Sequence, residues 1–131
     1  MNQPKIIQKL SENSATKYSF PGLPECEIFI TREKPKSDGT IEISVIEQHP
    51  VDQFSHLPIL KVCVPTNCLS ANHRVEPDIG KVLHTFIIKT NNTRISENVC
   101  IEFTDKQRIV TGATNTISQD GTPLIIPVPT Q

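Results

Sequence analysis

The chain has 131 residues, the size of a single domain able to bury a core of its own. Hydrophobic residues make up 36% of it, too many for wholesale disorder. Net charge is −1, from 13 basic and 14 acidic residues interleaved along the chain, whereas a nucleic-acid binder gathers basic charge into a patch or stripe.

Proline outnumbers glycine, 11 to 5, and aromatics are few, with no Trp, one Tyr and five Phe. That leaves little for sites that stack sugars or bases on aromatic faces. Apolar volume comes mainly from Ile and Val, the β-branched residues that suit a pleated surface. No stretch of about 18 apolar residues is present, so no helical membrane span is expected. MNQPKIIQKLSENS lacks a continuous apolar core and a small-residue cleavage site, so the expectation is an intracellular location, cytoplasmic or within a virus particle.

In chain order, Pro4 with Ile6, Ile7 and Leu10 suggests a short N-terminal helix or arm over residues 1–16. SATKYSFPGLPE reads as irregular. The period then becomes two. ECEIFITR and TIEISVIE flank a turn at Asp38-Gly39 and predict a hairpin, with Ile41, Ile43 and Val45 on one face. PILKVCV is a strand that Pro65 stops. TNCLSANHRVEPDIG reads as a long irregular crossing. KVLHTFIIKT, apolar in both phases, reads as a central strand covered on both faces. NVCIEFT carries Val99, Ile101 and Phe103 inward, and DKQ reads as a tight link to a partner strand, RIVTGAT. Residues 17–114 thus form the β domain, and 115–131 a Pro-rich C-terminal strand or arm. The expected fold is all-β: one antiparallel sandwich or barrel of about six to seven short strands.

The cysteine and histidine pattern leaves alternatives open. Cys63, Cys68 and His73 are weak candidates for a metal, because their C-x4-C-x4-H spacing lacks the tight CxxC turn of structural zinc sites. Cys100 or His84 could complete such a set. The plainer reading makes the cysteines small buried hydrophobes, and a disulfide would need an oxidising compartment. Cys63 and Cys100 both fall on the phase away from the main core. His49, Asp52 and His56 share one polar loop, and His84 sits within an apolar strand. No nucleophile elbow, HExxH, P-loop or GxGxxG is present.

In PLIIPVPTQ, three prolines hold an apolar segment extended. Leu124, Ile125, Ile126 and Val128 are therefore candidate partner-binding residues, either as a last edge strand or as an arm on a neighbouring subunit. The reading that follows is a non-enzymatic structural or assembly subunit that works through protein–protein contacts, homo-oligomeric and without a cofactor. A viral structural protein is one such case. The alternatives are a regulatory module that binds a partner by strand addition, and a small zinc-binding domain.

Overall fold

The computed structural model describes residues 5–9, 16–33, 36–65, 68–91, 99–113 and 124–128. The strands are β1 (Lys5–Lys9), β2 (Thr16–Phe20), β3 (Leu23–Arg32), β4 (Thr40–Gln48), β5 (Ser55–Pro65), β6 (Ser70–Asp78), β7 (Lys81–Lys89), β8 (Cys100–Val110) and β9 (Leu124–Val128). Seven of them, β2–β8, make two antiparallel sheets. β1 extends the larger sheet, giving the order β1-β2-β3-β4-β7-β6, and β9 completes the smaller one as β8-β5-β9. β9 runs parallel to β5 and is the one parallel pairing among the described strands.

The β3–β4 hairpin forms where the alternation and the Asp-Gly turn place it, with Glu27 opposite Gln48 and Arg32 opposite Ile43. Gly39 has φ +88, and a Cβ there would overlap the Thr90 carbonyl oxygen, so the turn needs glycine. Asp38 Oδ1 accepts from the Thr40 backbone N–H at 2.9 Å and tightens the same corner. In β4, Ile41, Ile43, Val45 and Glu47 all point inward, the period-2 result of one apolar face.

The two inner faces meet as a sandwich core. The larger sheet supplies Ile28, Ile30, Ile41, Ile43, Val45, Phe86 and Ile88; the smaller supplies Leu57, Leu60, Val62, Val64 and Val110. Each such side chain contributes about 1.5–3 kcal/mol when fully buried. Leu57 and Leu60 both reach the core although they are three residues apart, because the β5–β8 register shifts between Pro58 and Leu60.

Five local expectations change. The N-terminal helix is not formed: Lys5–Lys9 is strand, because an open edge at β2 accepts a ladder that a short isolated helix cannot replace. Residues 16–20 are strand β2 rather than irregular, and residues 70–78 are strand β6 rather than a crossing. The DKQ link is instead part of one continuous β8. Its turn-like composition marks the bulge opposite Ile59, where the Thr104 hydroxyl and the Lys106 backbone hydrogen-bond each other. β7 is central in its sheet, between β4 and β6, but its second face is covered only around Thr85, with Lys81 and Lys89 exposed at its ends. Val82, His84, Phe86 and Ile88 are buried, while Ile87 is 39% exposed.

Candidate interaction edge and the buried polar seam

β6 pairs with β7 along its whole length and, among the described strands, has no neighbour on its other side. Ala71, His73 and Val75 point inward and are half-buried, while Asn72, Arg74 and Glu76 are exposed. Arg74 and Glu76 stand on one face with their charged atoms 3.9 Å apart, and both side chains are more than half exposed, at 68% and 55%. An open edge carries unpaired backbone N–H and C=O groups, a template for another strand. Pro77 lacks a donor and weakens that template at its C-terminal end.

A chain of polar contacts ties this edge to the middle of the protein. His73 Nε2 lies 3.0 Å from His84 Nδ1, and His84 Nε2 lies 2.7 Å from Glu47 Oε1. Glu47 Oε2 pairs with the Arg108 guanidinium. The chain thus runs β6–β7–β4 across one sheet and ends on β8 of the other. Glu47, His84 and Arg108 are all buried, at 1%, 0% and 3% exposure. Burial pushes both His73 and His84 down to about 4, so both rings are neutral at pH 7. Neutral rings fix the direction of the bonds. A carboxylate oxygen only accepts, so His84 donates from Nε2 and accepts at Nδ1, and His73 donates from its own Nε2. The His73 ring also stacks on Phe86, with centroids 4.4 Å apart and planes 5° from parallel. Burial pulls Arg108 down to about 10, which leaves it cationic beside Glu47.

The seam's charged partners are legible only in part. The alternation that sends Ile41, Ile43 and Val45 inward also sends Glu47 inward, two residues on. Arg108 shares the inward phase of Val110, but only across the β8 bulge, which the sequence disguises as a turn.

The cysteine candidates are redistributed. Cys63 is directly opposite Cys100 in the β5–β8 ladder, and Glu102 follows two residues along on the same face. The donor atoms of Cys63, Cys100 and Glu102 all lie within 4.8 Å of one another. Cys63 is buried, while Cys100 and Glu102 are exposed. Burial, and then the neighbouring Cys100 and Glu102, push the Cys63 thiol up to about 11. Cys68 packs against the hydrophobic core instead, and His73 is engaged by His84 and Phe86 in the other sheet. The four cysteines are free thiols.

The loop trio does not converge either. His49 is buried and pushed down to about 4 by burial and then by the nearby His84, while Asp52 and His56 are exposed. At this end of the sandwich three loops are laced by backbone bonds: His49 to Gly80, Gly80 to Gly112 and Gly112 to Pro50. The strand of Leu124, Ile125, Ile126 and Val128 lies along β5 of its own chain, while the contacts of those side chains lie outside the described residues. No helix of the described residues is long and apolar enough to cross a membrane. No family model, curated protein or solved structure matches this chain.

Proposed function

We propose that the protein is a non-enzymatic assembly subunit that associates with a second copy of itself through β6. The observation that carries this reading is an open, regular strand edge with Arg74 and Glu76 two residues apart. Two β6 strands meeting antiparallel about a two-fold axis at Val75 would set Arg74 of each copy opposite Glu76 of the other. The same register faces Asn72 with Asp78. Moving the axis to Glu76 would face glutamate with glutamate, so charge selects the first register. Such a contact is isologous, the commonest symmetry of soluble oligomers. Joining two six-stranded sheets would extend them across the dimer and supply a building block for a larger particle, viral or otherwise. β9, which ends its sheet among the described strands and carries Leu124, Ile125, Ile126 and Val128, is a further place for contacts in such a particle.

Charge reversal tests this. Native mass should give a dimer for the starting protein and a monomer for Arg74→Glu and for Glu76→Arg at the same concentration. The doubly exchanged Arg74→Glu/Glu76→Arg protein should be dimeric again. A strict monomer at every concentration contradicts self-association. A monomer that captures the strand of one specific partner, with the same charge dependence, would support the alternative of a strand-addition module.

A further inference from the structure

We propose that Cys63, Cys100 and Glu102 form a binding site for one thiophilic divalent cation, zinc by preference, on the outer face of the three-stranded sheet. The ladder itself assembles the donors. Cys63 and Cys100 are cross-strand partners on neighbouring strands, and the period of two puts Glu102 on the same face as Cys100. Two thiolates and a carboxylate are a donor set that zinc accepts. Ligand atoms around a tetrahedral zinc stand roughly 3.5–3.8 Å apart, and these three already lie within 4.8 Å of one another. The donors therefore need to close by at most about 1 Å.

The charge balance also fits. Zinc with two thiolates and one carboxylate carries a net charge of −1, and Lys61 stands directly opposite Glu102 in the ladder to offset it. Binding forms two Zn–S bonds and one Zn–O bond and releases the two thiol protons to solvent. No oxidant or reductant takes part. Three protein ligands leave the fourth position to water. The mixed burial suits capture from solution: Cys100 and Glu102 are accessible, and the buried Cys63 forms the floor. The site is distinct from the Cys63, Cys68, His73 set that sequence spacing suggests, because His73 belongs to the other sheet. It is independent of the β6 contact.

Zinc ion added to the full, reduced chain in competition with a chromophoric chelator is the direct test, with cobalt(II) as a second probe. One equivalent of zinc should bind, and cobalt should show sulfur-to-metal charge-transfer absorption. Cys100→Ser and Glu102→Gln change exposed side chains and keep the fold, which circular dichroism verifies. Each should weaken zinc binding at least about tenfold, since even outer-shell changes cost that much. Cys68→Ser should leave it unchanged. The proposal is overturned if the reduced protein binds no zinc above the Cys63→Ser/Cys100→Ser variant. It is equally overturned if Cys68→Ser abolishes binding while Cys100→Ser does not.

Discussion

The interior of this protein is built in two ways. At its centre, Ile28, Ile41, Ile43, Val45, Phe86 and Ile88 face Leu57, Leu60, Val62 and Val64, and stability there comes from area removed from water. Toward β6, the same two sheets are joined by Glu47, His84, His73 and Arg108, and stability there depends on each polar atom finding its partner. The apolar region has no direction and tolerates adjustment. The polar seam has direction: one orientation of two neutral imidazoles satisfies it, and this holds β6 in one register on β7. The edge is therefore anchored as well as open, which suits a strand that another chain must find in a fixed place.

The largest separation between the two regions should come from Arg108→Met. It leaves the buried Glu47 carboxylate with the His84 hydrogen bond but no counter-charge, at a cost of about 3–5 kcal/mol in urea unfolding. Adding Glu47→Leu to that variant should recover part of the loss, because it removes the orphaned charge. Acid should be next. His49, His73 and His84 are held near pKa 4 in the folded chain against about 6.5 unfolded. Above pH 6.5 these rings are neutral in both states and add nothing. As pH falls toward 4 the unfolded chain takes up protons first, so stability drops through that window. Urea midpoints measured from pH 7.5 to 4.5 should fall, and less steeply in a His84→Gln variant.

His73→Leu keeps the apolar contact with Phe86 but removes the donor to His84 Nδ1. It should cost about 1–3 kcal/mol and raise hydrogen exchange in β6 more than in β3. Ile43→Val, a methyl group removed from the apolar region, should cost only about 0.5–1.5 kcal/mol, read from the same urea curves. If Ile43→Val costs more than Arg108→Met, the distinction between the two regions fails.

What could be read from the sequence follows the same division. Period-2 alternation and the Asp38-Gly39 turn locate the β3–β4 hairpin, the inward face of β4 and the all-β class, because those signals are local. β6 is hidden in the sequence because SANHRVEPD is polar on one face and only half-buried on the other, as suits an edge strand. β8 reads as two strands because its bulge carries turn residues. The Cys63–Cys100 pairing depends on the register between strands about forty residues apart, which no spacing rule encodes. The Glu47–Arg108 pair likewise needs the packing of one sheet on the other.

If β6 is an anchored edge that pairs with a second copy, as proposed, hydrogen exchange over a dilution series will show it. Backbone amides of Asn72–Glu76 should be protected at high protein concentration and lose that protection on dilution, while those of β3 and β4 do not change. Arg74→Glu should expose the same amides at every concentration. Exchange in β6 that is independent of both concentration and the Arg74 charge would contradict self-association through β6.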